Sequence, residues 1–187
     1  MTKLQSAQTI NNPLKNSALI VIDIQRGLFN KSIPIFQEDK FLSNVNYLID
    51  KAHASNVPII FIQHSNDTIL IYGSNDWQFH PDLHLTDGDE LIHKIHGNAF
   101  EETRLGDYLQ SKQVNQLVIT GLVTHGCVKS TTIGALDLGY EVVLTQDGHS
   151  NYSKDAENII TEWNKKLASS GAEVKPTKEI DFSVRIN

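Results

Sequence analysis

Four nearly continuous apolar runs constrain the fold of this chain more than any other feature. They lie at residues 18–24, 57–63, 116–122 and 140–146. Strands buried on both faces of a parallel sheet are apolar throughout, whereas half-exposed strands alternate apolar and polar residues. A weaker run, "ELIHK" at 90–94, is a fifth candidate strand. The runs therefore predict a parallel sheet that is covered on both faces.

Segments with helical spacing separate these runs. Apolar residues recur in them at steps of three and four, which forms one apolar helix face. The segments are 40–55, 99–112, 128–139 and 155–171. Gly139 and Gly171 are candidate C′ residues, and Ser153 is a candidate N-cap. Strands that alternate with helices predict an α/β fold, a three-layer α/β/α domain with a mostly parallel central sheet and Rossmann-like architecture.

Composition and net charge limit the kinds of molecule that this chain is expected to bind. A chain of 187 residues suits a single domain over 1–187, and its net charge of −6 gives no basic surplus for nucleic acid or an anionic membrane. Its single cysteine cannot form an internal disulfide, which fits a reducing compartment. We find no signal peptide and no run of ~18 apolar residues. We therefore expect a cytoplasmic protein whose partner is a small molecule.

The stretch 64–90 is long, polar and rich in turn residues. A connection of this length inside a compact domain is usually functional. We interpret it as a binding loop, in which Trp77 and Phe79, together with Phe29 from an earlier segment, are candidates for an aromatic substrate pocket. Core packing is the alternative interpretation of each ring.

Reactive side chains stand at the ends of several predicted strands. Asp23 lies near the end of the first run, Lys94 ends "ELIHK", and Cys127 follows the third run after a short turn. The carboxyl ends of parallel strands meet at one edge of a sheet, where ligands bind in open α/β folds. These three residues are therefore predicted to converge.

A carboxylate, an amine and a thiol form a base, an electrostatic stabiliser and a nucleophile. A helix that begins near Val128 and the charge of Lys94 are both expected to stabilise a Cys127 thiolate. Apolar neighbours desolvate Asp23, which suits it to carry a proton. Spacing alone is also compatible with structural roles, in which Cys127 packs in the core, Asp23 caps a turn and Lys94 lies on the surface.

Three motifs resemble the isochorismatase-like cysteine hydrolases, a family that includes nicotinamidases and other small-amide hydrolases. They are "ALIVIDIQRGLF", "HKIHGNAFEETRLGDYL" and "LVITGLVTHGCVKSTTIGALDLGYEVVLTQDGHS". The resemblance runs from about residue 16 to residue 170. It implies a catalytic triad of Asp23, Lys94 and Cys127, and a homo-oligomer that is a dimer or a tetramer.

The resemblance also implies details of the turn before the cysteine. It places a non-proline cis peptide bond between Val123 and Thr124. The N–H groups of Thr124 and Cys127 would then form an oxyanion hole. His125 in this turn and His149 at a strand end are candidates for contact with the substrate.

The resulting prediction is a hydrolase that cleaves a C–N bond through a Cys127 thioester. Asp23 would be the general acid and base, and Lys94 the electrostatic stabiliser. One alternative is a redox-active or peroxide-responsive protein with a single thiol. Another is an isochorismatase-type hydrolase of a non-amide substrate, although isochorismatases proper generally lack the cysteine.

Nicotinamidases resemble this chain but carry a metal site on an Asp-x-His pair after the second strand. The matching stretch is "FIQHSND", where Ile62 stands at the Asp position and His64 at the His position. His80 in "FHP" matches a further ligand. Two imidazoles without the carboxylate make a poor site. We therefore predict no metal and no cofactor, and interpret His64 and His80 as satisfied loop histidines.

Overall fold

A computed structural model describes residues 16–182. Its six strands form one parallel sheet in the order β3-β2-β1-β4-β5-β6. The strands are β1 (Ser17–Ile22), β2 (Ile59–His64), β3 (Glu90–Lys94), β4 (Gln116–Leu122), β5 (Glu141–Ser150) and β6 (Glu173–Lys175). The helices are α1 (Arg26–Phe29), α2 (Glu38–Ala54), α3 (Leu105–Ser111), α4 (Lys129–Asp137) and α5 (Ala156–Ser169). The predicted α/β fold is confirmed, and the sheet is parallel throughout.

The sheet separates two apolar clusters, one on each face. Leu19 and Val21 of β1 pack with the apolar face of α2, whereas Ile20 and Ile22 pack in the cluster that includes residues of α3, α4 and α5. Successive side chains of a strand point to opposite faces, so a strand between two helical layers must be apolar at every position. Burial of both faces explains why the central runs show no alternation.

The strand order reverses beside β1. The chain passes from β1 outward through β2 to β3, and then returns to the other side of β1 with β4. The connections after β1 and β4 therefore leave in opposite directions and open a crevice between the ends of the two strands. This topology places the ends of β1 and β4 side by side.

The edge formed by β5 and β6 differs from the prediction. β5 extends to Ser150, and β6 was not predicted. Along β4, Ile119 pairs with Leu144, but Gly121 pairs with His149, so the ladder contains an irregularity. The turn-like residues Asp147 and Gly148 lie in this irregularity, and for that reason the predicted strand ended at residue 146.

Two predicted helix boundaries also move. α3 begins at Leu105, not at residue 99, because Thr103 Oγ1 donates to the Ala99 carbonyl and accepts the Leu105 N–H in a non-helical turn. Ser153 Oγ accepts the Asp155 N–H, and Asp155 occupies the N-cap position of α5. Gly139 and Gly171 do follow their helices with positive φ angles of 86° and 111°, as predicted for C′ residues.

The described helices are all too short or too polar to cross a bilayer. Residues 1–15 and 183–187 lie outside the described part of the chain. The assignment of residues 1–187 to a single domain therefore stays a prediction.

Candidate active site

Asp23 follows β1 and turns the chain away from the sheet. Its φ angle of 51° is left-handed, and its N–H donates to the Ile62 carbonyl of the neighbouring strand at 3.0 Å. The residue is 2% exposed. Its Oδ2 accepts a hydrogen bond from Lys94 Nζ at 2.8 Å, whereas its buried Oδ1 has no hydrogen-bond partner among residues 16–182. One carboxylate oxygen is thus held and the other is free to accept a proton.

Lys94 is the last residue of β3, and its side chain is fully buried. Besides Asp23, its ammonium donates to Cys127 Sγ at 3.1 Å and to the His96 carbonyl at 3.2 Å, and it lies 3.2 Å from His64 Nδ1. Burial alone lowers the pKa of Lys94, but the negative charge of Asp23 and the hydrogen bonds with Asp23 and Cys127 outweigh burial and raise it. The amine therefore stays charged and links the carboxylate to the sulfur.

Cys127 lies in the turn Thr124–Val128, which connects β4 to α4 and is kinked by the non-helical backbone of Gly126. The predicted helix near Val128 is present, since α4 begins at Lys129 with Val128 as its N-cap. Burial and the adjacent Asp23 raise the pKa of the Cys127 thiol to about 12, although Lys94 opposes them. Lys94 thus favours the thiolate, as expected, but burial and Asp23 outweigh it and favour the thiol.

The turn contains a non-proline cis peptide bond, but one residue earlier than predicted. It joins Leu122 to Val123 and not Val123 to Thr124. β4 ends at Leu122, and Val123 is extended, with its carbonyl accepting the N–H groups of Gly126 and Val128. The chain therefore leaves the strand at the cis bond, and the helical turn begins at Thr124.

A series of buried hydrogen bonds links the turn Thr124–Val128 to β5 and α5. Thr124 Oγ1 lies 2.9 Å from His149 Nδ1, and His149 Nε2 lies 2.9 Å from Asn164 Oδ1 of α5. Burial lowers the pKa of His149 to about 4, so the ring is neutral near pH 7. Both ring nitrogens thus contact protein groups, which places His149 as a support for Thr124. His125, by contrast, is exposed in the turn.

The three aromatic candidates pack on the α2 face of the sheet. Trp77 is buried in that cluster and donates from Nε1 to Ser65 Oγ, while Phe29 and Phe79 pack against its margin. Phe29 also contacts the His80 ring, with centroids 4.4 Å apart. These contacts are those of core residues, and a pocket role for the three rings stays a prediction.

His64 is the residue that sequence reasoning placed wrongly. It ends β2 instead of lying in a loop, and its Nδ1 contacts the Lys94 ammonium. One ligand atom each of Asp23, His64 and Cys127 lies within 4.8 Å of the other two, a spacing that suits a metal ion. Lys94 contacts all three residues, so its ammonium is the cation of this cluster.

The metal ligands of nicotinamidases do not fit this arrangement. Ile62 at the Asp position is a fully buried aliphatic residue. His80 Nδ1 accepts the Asp82 N–H and its ring packs on Phe29, which agrees with a satisfied loop histidine. We derive no step through a metal, and its absence stays a prediction.

Gln25 is a second residue that the sequence analysis missed. Its fully buried amide accepts the His64 N–H and donates to the His64 and Trp77 carbonyls. It therefore holds the end of β2 beside the end of β1. The available signal was its position, two residues after Asp23 and inside an otherwise apolar motif.

Most of the chain matches a known family, and the match includes the elements that carry this cluster. Residues 17–177 match the model of the isochorismatase domain family. The chain belongs to the isochorismatase domain family. The match begins with β1 and ends beyond β6, so it includes all six strands and the residues at their ends. The resemblance inferred from the three motifs is thereby confirmed, and the chain is an isochorismatase-family hydrolase.

Individual relatives are distant. The chain is 26% identical to a streptothricin hydrolase of Streptomyces noursei over 83% of its own length, but it spans only 62% of that enzyme. It is 26% identical to nicotinamidase 3 of Arabidopsis thaliana, over 75% of this chain and 76% of that one. An isochorismatase structure from Pseudomonas putida superposes with a TM-score of 0.81 at 28% identity, over 90% of this chain and 92% of the other.

Proposed function

We propose that this isochorismatase-family protein is a cysteine hydrolase that cleaves a C–N bond of a small amide through a thioester on Cys127. One observation carries the proposal: the buried Lys94 ammonium contacts both Asp23 Oδ2, at 2.8 Å, and Cys127 Sγ, at 3.1 Å. A base, a cation and a nucleophile that meet in a buried crevice are the parts that acyl transfer requires.

Attack by the thiol is the first step. Because the resting group is protonated, Asp23 Oδ1 takes the Cys127 proton as Sγ bonds to the amide carbon. Lys94 stays charged throughout and stabilises first the carboxylate and then the developing thiolate. The N–H groups of Thr124 and Cys127 are the proposed donors to the oxyanion.

Collapse and hydrolysis complete the cycle. The C–N bond breaks, the proton on Asp23 passes to the leaving nitrogen, and a primary amide releases ammonia. A water molecule then gives its proton to Asp23 while its oxygen attacks the thioester carbon. The C–S bond breaks, the proton returns to Sγ, and the carboxylic acid leaves.

Two further observations favour C–N hydrolysis over the alternatives. Distant relatives are named for the hydrolysis of streptothricin and of nicotinamide. The redox alternative requires a thiolate at rest, because the thiolate is the form that peroxide oxidises. A thiol whose pKa is raised to about 12 offers very little of it near pH 7.

Ammonia release from a panel of small primary amides, nicotinamide included, tests the proposal. The wild-type protein should release ammonia from at least one amide, and Cys127→Ala and Lys94→Met should release none. Lys154→Met is the matched control, since Lys154 is an exposed lysine remote from the cluster in sequence. An acyl adduct on Cys127 should be visible by mass spectrometry when the reaction is quenched with acid.

Two outcomes would overturn the proposal. Release that persists in Cys127→Ala would remove the nucleophile from the mechanism. Failure of the wild-type protein to release ammonia from any amide would exclude primary amides as the substrate class.

A further inference from the structure

The Lys94 contact determines which nitrogen of His64 carries the proton. The ammonium carries only N–H donors, three of them shared among four contacts, so the lone pair of His64 Nδ1, and not an N–H, faces Lys94 Nζ at 3.2 Å. Burial and the charge of Lys94 lower the pKa of His64, which keeps the ring neutral. A neutral imidazole that accepts at Nδ1 carries its proton on Nε2. His64 therefore has a fixed N–H donor on the edge opposite Lys94.

This donor is not fully buried. The Lys94 side chain is fully buried, whereas His64 is only partly so, and Nε2 is not one of the fully buried polar atoms without a partner among residues 16–182. Among residues 16–182, Nε2 has no hydrogen-bond partner, and the hydrogen-bond contact of the ring is the one between Nδ1 and Lys94. Gln25 holds the backbone of His64 through both its N–H and its carbonyl, and Lys94 contacts the ring.

The imidazole ring also lies beside the reacting group. One of its two nitrogens, Nδ1 or Nε2, lies within 4.8 Å of Cys127 Sγ. A small acyl group bonded to that sulfur extends several ångströms into the crevice and must pass the imidazole edge. An N–H without a partner at such a place loses hydration when a substrate enters, unless the substrate supplies an acceptor.

We propose that His64 determines specificity: its Nε2–H donates to a nitrogen or oxygen acceptor on the acyl side of the substrate. The inference rests on the proposed function, and it names the substrate class as small amides that carry a second hydrogen-bond acceptor besides the scissile carbonyl. Amides with a purely apolar acyl group leave this donor unpaired and bind less well.

Two substitutions separate the two edges of the ring. The amide oxygen of Asn lies about as far from the backbone as Nδ1, so His64→Asn keeps an acceptor for Lys94 and loses the outer donor. The amide nitrogen of Gln reaches the position of Nε2, so His64→Gln keeps an outer donor and loses the inner acceptor. A structural role for His64 would depend on the inner contact and be indifferent to the outer one.

The test measures binding of picolinamide, nicotinamide, isonicotinamide and benzamide by calorimetry, in a Cys127→Ala background that prevents turnover. The four amides have the same shape, and the ring nitrogen occupies three different positions or is absent. We expect at least one pyridine amide to bind about three- to tenfold more tightly than benzamide. This ratio corresponds to the net free energy of one hydrogen bond. That preference should disappear in His64→Asn and persist in His64→Gln.

Several results would overturn the inference. They are equal binding of all four amides, no binding of any, or a pyridine preference that survives in His64→Asn. Nitrogen NMR of the imidazole that placed the proton on Nδ1 would overturn it independently of any ligand. If the wild-type protein releases ammonia but His64→Asn keeps the pyridine preference, this inference alone is rejected. If the preference depends on His64 but no ammonia is released, the proposed function is rejected and the His64 donor site is retained.

Discussion

At the scale of single residues, burial and two charged neighbours shift the pKa of Cys127 in opposite directions. Burial and Asp23 raise the pKa of the thiol to about 12, and Lys94 opposes them. A nucleophile held as a thiol needs a base at the moment of attack. One oxygen of Asp23 lies within 4.8 Å of Sγ, and its Oδ1 has no hydrogen-bond partner among residues 16–182. The same carboxylate thus suppresses the thiolate at rest and accepts its proton during the reaction.

Asp23→Asn should separate these two effects. Without the carboxylate charge, the pKa of Cys127 falls, so the pH midpoint of its alkylation by iodoacetamide should move to lower pH than in the wild-type protein. Turnover should nevertheless fall at least ~100-fold, because the general base is lost. Asp67→Asn, at an exposed position, is the control that should change neither quantity. An unmoved midpoint would show that Asp23 does not govern the thiol.

At the scale of elements, the contact between β1 and β4 sets the geometry of the crevice. Gly121 of β4 has a φ angle of 127°, and a Cβ there would lie 2.2 Å from the Ile22 carbonyl oxygen. Ile22 directly precedes Asp23, and Gly121 lies three residues before Thr124. Only a residue without a side chain lets the two strand ends approach this closely.

Gly121→Ala should therefore be strongly destabilising. Both the left-handed backbone and the overlap with β1 oppose the methyl group, which together should lower the free energy of unfolding by about 3 kcal/mol or more. Gly106→Ala in α3 is the matched control, because no atom lies within 4 Å of its added Cβ. It should leave stability unchanged or raise it by up to about 1 kcal/mol. Urea unfolding of the two variants makes the comparison, and equal stabilities would contradict the argument.

At the scale of the whole molecule, one sheet joins two apolar clusters into a single structure. Trp77 is buried in the cluster on the α2 face, and Trp163 of α5 packs against the cluster on the other face. Each tryptophan therefore reports on one layer. Because both layers require the same sheet to be intact, neither should persist when the other is lost.

The variants Trp77→Phe and Trp163→Phe each retain one tryptophan and test this cooperativity. Within each variant, the urea transition measured by tryptophan fluorescence should coincide with the transition measured by far-ultraviolet circular dichroism. A fluorescence change that precedes the loss of secondary structure in either variant would show that one layer unfolds separately. That result would contradict the assignment of the chain to one domain.

Continuous apolar runs were sufficient to locate β1, β2 and β4, because a strand between two helical layers is apolar at every position. β3 alternates in burial and gave only a weaker signal. Apolar patterning failed at β5 beyond residue 146, where an irregular ladder accommodates residues that ordinarily form turns. It also failed for β6, which is three residues long and only partly buried. Short edge strands depend on their neighbour more than on their own composition.

The sequence by itself determined the layers of this protein and the three residues that converge, because apolar patterning and position at strand ends are local properties. Only the tertiary structure decided how those residues are charged and what surrounds them. Asp23 and Lys94 are separated by 71 positions along the chain, yet their side chains lie 2.8 Å apart. Burial and distance between remote segments set the protonation of Cys127 and the tautomer of His64, and neither quantity exists until the chain has folded.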